Sequence, residues 1–306
     1  MKNIFAYCSA LLLVSAMFSC SSDSPESNYS DADMVPVRFR LSFAGISGLS
    51  TRSLAPDYKF SDGTSVSELK CYVYNKSEGD NASPVKVVDV DIKDVNENRG
   101  GDVSILLPKG QNFDVVFLGT SVPQDDASGK LYYSLTERTL TVNYSVVTSS
   151  DEELDCFFAV QKDVSSETVL EEAVVLSRPF AQLNIGTLDY DEYNAVTPVE
   201  SVAVSVDGIY NKFNLMDGAI IGDPVKVNLL ASPVPSGQVF PIAGFSYLSM
   251  SYLLVNLRKL VDVSITVNHM DASVAPLSLS FEEIAVERNY QTNLYGKKLL
   301  TEYPSL

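Results

Sequence analysis

Short runs of alternating apolar and polar residues dominate this chain, and a period of two is typical of β-strands with one buried face. The clearest run, VPVRFRLSF at residues 35–43, places Val37, Phe39, Leu41 and Phe43 on one face and basic or hydroxyl residues on the other. Further short β-type runs follow at residues 85–92, 103–107, 113–118, 140–144, 182–185, 201–206, 226–230, 247–255, 261–267 and 277–281. Because turn-forming residues separate many short strands, the sequence predicts an all-β protein built from antiparallel β-sandwiches.

The first twenty residues have the layout of an export signal. A basic residue precedes an apolar run, residues 4–18, that is too short to span a bilayer, and Ser19-Cys20 follows it. A small residue directly before a cysteine resembles the lipobox of bacterial lipoproteins. We therefore predict a signal peptide over residues 1–19, lipidation (palmitate) of Cys20, and a polar tether over residues 20–34. The alternative is an ordinary signal peptide with an incidental cysteine.

Size and charge limit the domain organisation and the partners. Without the 19 residues of the signal, the 306-residue chain keeps 287 residues, enough for two domains with a core in each. A polar stretch at 163–172 divides this length almost in half, so we predict an N-terminal β-sandwich domain over residues 35–172 and a C-terminal one over residues 173–306. The formal net charge of −17 argues against nucleic acid or an anionic membrane surface as a partner.

Two cysteines remain in the body of the chain, Cys71 and Cys156, each within an apolar, strand-like run. Two buried free thiols are the usual outcome for such positions. A disulfide is the alternative, because an exported protein meets an oxidising compartment.

Residues that would support catalysis are sparse. The single histidine, His269, has no G-x-S-x-G motif or metal-ligand spacing to accompany it. The carboxylates at Asp89 and Asp91 fit the wet face of a strand better than a calcium loop. We interpret the Gly100-Gly101 pair as a turn and not as a phosphate-binding loop. The sequence predicts no enzyme, no metal site and no cofactor.

Five segments, in this order, resemble the fimbrillin family, the lipoprotein pilus subunits of Bacteroides-type bacteria (type V pilin-like). They are VPVRFRLSFAGISGLSTRS, FSDGTSVSELKCYVYN, LSRPFAQLNIGTLD, YLSMSYLLV and VERNYQTNLYGKKLLT. The resemblance implies two transthyretin-like antiparallel β-sandwich domains in tandem. It also implies delivery to the outer membrane and assembly by donor-strand exchange, in which a strand of one subunit replaces a strand of the next.

Under this resemblance the strand at residues 35–43 is the one displaced, and Val37, Phe39, Leu41 and Phe43 fill the pockets that accept a donor. Arg52, in a loop rich in Gly and Ser, is the predicted cleavage site of an arginine-specific processing protease. The alternative for Arg52 is an ordinary solvated loop residue.

Two arginines, Arg178 and Arg288, lie near strand starts in the resembling segments. We expect each to form a surface or edge salt bridge with a neighbour such as Asp189 or Glu287.

Two functions from different classes are compatible with these features. The first is a surface pilus (fimbria) subunit, a tip or accessory subunit or a related adhesin, with other pilus subunits, the processing protease and the outer membrane as partners. The second is a surface lipoprotein that binds glycan or another ligand without polymerising. Clustered exposed aromatic residues would favour the second, but Trp is absent and the Tyr residues are scattered.

Overall fold

The computed structural model describes residues 33–43, 66–79, 83–95, 98–121, 131–136 and 138–302. Within these ranges the chain is almost entirely β-structure, with one short α-helix, α1 (Tyr190–Val196), and three single-turn 3-10 helices. The strands are β1 (Met34–Phe43), β2 (Glu68–Asn75), β3 (Lys86–Asp89), β4 (Lys93–Val95), β5 (Asn98–Pro108), β6 (Asn112–Thr120), β7 (Tyr133–Thr136), β8 (Thr139–Val142), β9 (Cys156–Ser165), β10 (Leu170–Leu176), β11 (Phe180–Thr187), β12 (Val199–Ile209), β13 (Lys212–Asn214), β14 (Val225–Ser232), β15 (Ser246–Leu254), β16 (Arg258–His269), β17 (Leu277–Glu287) and β18 (Gln291–Gly296). The all-β prediction is confirmed. No helix in the described ranges is long and apolar enough to cross a membrane.

The described strands form five sheets, each named below after one of its strands. The orders are β10-β1-β5-β4 (the β1 sheet), β3-β2-β6-β9 (the β2 sheet), β13-β8-β7 (the β8 sheet), β15-β11-β18 (the β11 sheet) and β14-β12-β16-β17 (the β12 sheet). Most neighbouring strands are antiparallel, as expected. The β1–β10 and β11–β18 pairs are parallel, so two of the sheets are mixed.

The β1 and β2 sheets pack face to face around a first core. Each strand contributes every second residue, which is why the alternating pattern is visible in β1 and β5. The first core contains Val37, Phe39, Leu41, Val66, Leu69, Cys71, Val73, Val90, Val103, Ile105, Leu107, Phe113, Val115, Phe117, Phe157, Val164, Val174 and Leu176.

The β2 sheet is buried on both faces. Cys71 and Val73 of β2 point into the first core, whereas Tyr72 and Tyr74 belong to a second core on the opposite face. Because both faces are covered, β2 and β6 have continuous apolar runs instead of an alternating pattern.

The second core joins the two halves of the chain. It extends from the outer face of the β2 sheet through the β8 sheet to the β11 and β12 sheets. Backbone pairing crosses between the halves as well, because β13 pairs with β8 and Phe213 lies opposite Leu140. In addition, the Leu230 N–H donates to the carbonyl of Val147, at 2.8 Å.

The segment at 163–172, where we placed a domain boundary, contains the end of β9 and the start of β10. Strand β10 runs from Leu170 to Leu176 and pairs with β1 along its length. The predicted division between residues 172 and 173 therefore falls inside a strand of the β1 sheet.

Candidate functional site

Strand β1 lies in the middle of its sheet, hydrogen-bonded to a neighbour on each side. It runs antiparallel to β5, with Met34 opposite Pro108 and Ser42 opposite Gly100, and parallel to β10. We call the space between β5 and β10 that this strand fills the β1 groove. An N-terminal strand in a central position leaves two rows of unpaired backbone groups if it departs.

The four predicted pocket-filling residues all point to the first core. Val37, Phe39 and Leu41 are buried, with at most 3% of their surface exposed, and Phe43 is partly buried. Phe39 packs edge-on against Phe117, with 5.1 Å between ring centroids, and Phe43 packs edge-on against Phe157, at 5.0 Å. The β1 groove is therefore a row of apolar pockets with two aromatic contacts at its floor.

The outer face of β1 carries charge. The Arg40 guanidinium lies 3.6 Å from a carboxylate oxygen of Asp102 on β5 and 3.3 Å from one of Glu171 on β10. All three side chains are at least 60% exposed, so each ion pair contributes little to stability. Together they place one cation between two anions across the β1 groove.

Our interpretation of Gly100-Gly101 as a turn was wrong, because both residues lie within β5. A Cβ atom on Gly100 would collide with the backbone carbonyl oxygen of Leu41 in β1, and one on Gly101 would lie 2.7 Å from the carbonyl oxygen of Asp91. The glycines permit close backbone approach, which sequence patterns do not separate from a turn.

Cys20 and Arg52 lie outside the described residues. Their roles as lipidation site and cleavage site stay predictions.

Arg178 has a different partner from the one expected. It is fully buried and forms a bidentate ion pair with Asp155, with Nε–Oδ1 2.5 Å and Nη2–Oδ2 2.7 Å. Its guanidinium also lies 4.3 Å from the ring centroid of Phe157 and 5.9 Å from that of Tyr252. The expectation of a surface salt bridge with Asp189 or Glu287 was wrong, because the two-way backbone pairing of residues 158 and 177 brings the start of β9 to the end of β10.

Arg288 was also assigned the wrong partner. Its Nη1 donates to the carbonyl of Gly218 at 2.8 Å, and its guanidinium packs over the ring of Phe158, 4.9 Å from the centroid. Arg178 is therefore buried and Arg288 partly buried where the two halves of the chain meet, and each packs against an aromatic ring of β9.

Asp189, which was expected to pair with an arginine, instead hydrogen-bonds to residues 300 and 301. Its carboxylate accepts hydrogen bonds from the backbone N–H groups of Leu300 and Thr301, at 3.1 and 2.9 Å, and from the Thr301 hydroxyl, at 2.9 Å. Leu299 and Leu300 are buried beside it. Residues 299–301 are thus packed against the body of the protein.

Cys71 and Cys156 are both buried and free, in agreement with the favoured expectation of two unpaired thiols. They point into different cores, Cys71 into the first and Cys156 into the second. Burial raises the pKa of the Cys71 thiol to about 12, and it also raises the pKa of Cys156 far above its usual range. Both are neutral at physiological pH, a state in which a thiol is a poor nucleophile.

We expect thiol labelling of the folded protein at pH 8 to be slow at Cys71 and Cys156, and fast at both after unfolding without reductant. Cys71→Ala should cost about 1–2 kcal/mol of stability through lost packing. Mass spectrometry of labelled peptides measures the first effect and urea unfolding the second. Rapid labelling of the folded protein would contradict burial, and absence of label after unfolding would reveal a disulfide.

The other polar residues singled out in the sequence do not converge on a reactive centre. His269 is buried at the end of β16 and hydrogen-bonds through Nε2 to the Tyr193 hydroxyl, at 2.8 Å. Asp89 and Asp91 are exposed on either side of buried Val90; Asp89 ends β3 as predicted, whereas Asp91 lies between β3 and β4. Among the described residues, no group of three or more His, Cys, Asp and Glu side chains could hold a metal ion.

Residues 29–306 match the model of DUF6562, which is described as a family of unknown function. No curated protein matches the chain.

Several solved structures are similar in fold at low sequence identity. One is described as a candidate cell adhesion protein from Parabacteroides distasonis (14% identity, TM-score 0.46, covering 86% of this chain and 89% of that one). Another is a fimbrial assembly protein from the same species (10%, 0.46, 88% and 93%). A third is the fimbrial anchor protein Mfa2 from Porphyromonas gingivalis (9%, 0.41, 76% and 78%). Similarity at this level does not establish a shared function.

Proposed function

We propose that this chain, which belongs to the DUF6562 family, is a structural subunit of a cell-surface pilus, exported as a lipoprotein and joined to other subunits by exchange of strand β1. One observation carries the proposal: an amphipathic N-terminal strand occupies the centre of a sheet, and its removal would leave an apolar groove with an unpaired strand on each side. The five segments that resemble fimbrillins support it independently.

The driving force for filling a vacated β1 groove is large. Loss of β1 would open the pockets of Val37, Phe39, Leu41 and Phe43 to water. Each fully buried side chain of this size is worth ~1.5–3 kcal/mol, and a donor strand would also restore the backbone hydrogen bonds. An emptied groove is therefore unstable until another strand enters it.

In this proposal Cys20 carries the lipid that holds the precursor at the outer membrane, and an arginine-specific protease cuts after Arg52 to release β1. The mature protein is then part of a fimbrium, where it contributes to adhesion. Within the pilus we favour a tip or accessory position, because residues 299–301 are packed at Asp189 in place of extending as a donor strand.

The alternative, a glycan-binding lipoprotein, has little support from surface aromatics. Among the described residues Tyr295 is the only aromatic with an exposed side chain, at 43%. Its ring packs edge-on against Phe245, with 4.9 Å between centroids. A platform of several aligned rings is the usual requirement for stacking on sugars, and the described surface does not offer one.

The proposal is tested by Arg52→Ala. Because the uncut chain keeps β1 attached, we expect the variant to fold, receive its lipid and stay monomeric. The parent should form SDS-resistant ladders after treatment with a trypsin-like protease. Ser53→Ala is the matched control and should assemble like the parent. Equal ladders from Arg52→Ala and the parent would contradict cleavage at this site.

A second variant tests strand displacement without reference to the cleavage site. Arg38 and Ser104 lie opposite each other on β1 and β5, and both are exposed. With both changed to cysteine, a disulfide would fix β1 in place. We expect the oxidised form to stay monomeric after proteolysis and the reduced form to assemble. Assembly of the oxidised form would show that β1 does not have to leave.

A further inference from the structure

We infer that the β1 groove selects its donor strand by charge, and that the entering strand must carry a basic side chain at the position of Arg40, between Asp102 and Glu171. This inference rests on the proposed function, since it concerns the strand that replaces β1. The partner it defines is an extended segment with large apolar residues at alternate positions and a cation on its outward face.

The geometry of the outer face supports this requirement. Asp102 lies directly opposite Arg40 on β5, and Glu171 reaches Arg40 from β10 on the other side. When β1 leaves, both carboxylates remain on strands about 10 Å apart, twice the usual spacing of neighbouring strands. A basic residue placed between them is attracted by both, whereas an acidic one is repelled by both.

Arg38 provides an internal comparison. It is exposed on the same face of the same strand and lies opposite Ser104 on β5 and Glu171 on β10, so one anion is near it, but within the described residues it forms no ion pair. Only the position of Arg40 lies between two anions. The effect of a charge change on peptide affinity should therefore be larger at the position of Arg40 than at the position of Arg38.

The charge of the whole protein acts in the same direction. With a formal net charge of −17, the chain attracts basic segments and repels acidic ones over a distance set by the salt concentration. Such steering changes association rates, and the two carboxylates at the β1 groove add a position-specific part.

The test uses the full chain, cut after Arg52, and a fluorescent peptide with the sequence of residues 35–43. Variants of the peptide carry Arg40→Gln, Arg40→Glu, Arg38→Gln or Phe39→Ala, and each competes for the β1 groove at about 50 mM and about 500 mM salt. We expect Arg38→Gln to bind within about twofold of the parent. Arg40→Gln should bind about threefold more weakly and Arg40→Glu about tenfold or more, with both differences shrinking at high salt.

The reciprocal change completes the test. Cut protein with Asp102→Asn and Glu171→Gln should bind the parent and Arg40→Glu peptides almost equally. If the parent peptide binds and Phe39→Ala weakens it, but changes at Arg40 have no effect, charge selection is wrong and strand exchange stands. If no peptide enters the β1 groove, including the parent, the proposed function fails and this inference falls with it.

Discussion

Replacing Asp155 with alanine should destabilise the protein by about 3–5 kcal/mol, because it leaves the buried Arg178 guanidinium without its counter-ion. Removing one member of a buried pair costs far more than the pair contributes, since the remaining charge has no access to water. The loss should appear as a lower urea midpoint in equilibrium unfolding followed by circular dichroism.

Two controls separate the buried charge from lost contacts. Asp102→Ala removes a carboxylate from an exposed ion pair and should change stability by less than about 1 kcal/mol. The double variant Asp155→Leu/Arg178→Met removes both charges and should be more stable than Asp155→Ala alone. If the double variant is less stable than Asp155→Ala, the loss of stability comes from losing the ion pair and its contacts and not from the unpaired Arg178 charge.

Phe39→Ala should cost about 3–5 kcal/mol, because this ring is the largest β1 side chain that is fully buried in the first core, with only 1% of its surface exposed. The loss should fall mainly on β1, whose amide hydrogens should exchange faster than those of β2 and β6. Arg38→Ala, an exposed neighbour in the same strand, is the control and should change stability by less than about 1 kcal/mol.

The same substitution bears on assembly. A β1 strand that is held less tightly should leave its groove sooner after cleavage, so cut Phe39→Ala protein should form ladders faster than cut parent protein. If stability falls by less than 1 kcal/mol, or if β1 amides exchange no faster, then Phe39 does not anchor the strand as inferred.

Local patterns sufficed for the strands with one buried face. The alternation at residues 35–43 predicted β1, and the structure buries Val37, Phe39 and Leu41 on one side. The alternation arises from the pleat of the strand itself, so it needs no knowledge of the partner strand. The apolar nature of the β1 groove could therefore be predicted from the sequence.

Features that depend on distant contacts were not visible. The partner of Arg178 is Asp155, 23 residues earlier, and only the pairing of the intervening strands shows which carboxylate is near. The parallel β1–β10 pair and the position of Gly100 inside β5 also depend on contacts between residues that are distant in the sequence. The neighbouring sequence favours a surface ion pair for Arg178 and a turn at Gly100, but tertiary packing buries the arginine and places the glycine in a strand.

The β1–β10 pair has a consequence for the order of events during folding. Arg40 and Glu171 meet although 131 residues separate them in the sequence, and contacts of such long range form slowly. Strand β1 is synthesised before β5 and β10, yet it can pair only after both of these strands have formed. The folding chain should therefore pass through an intermediate in which β5 and β10 are formed but the β1 groove is still empty. In this intermediate β1 competes with strands of other molecules for the groove.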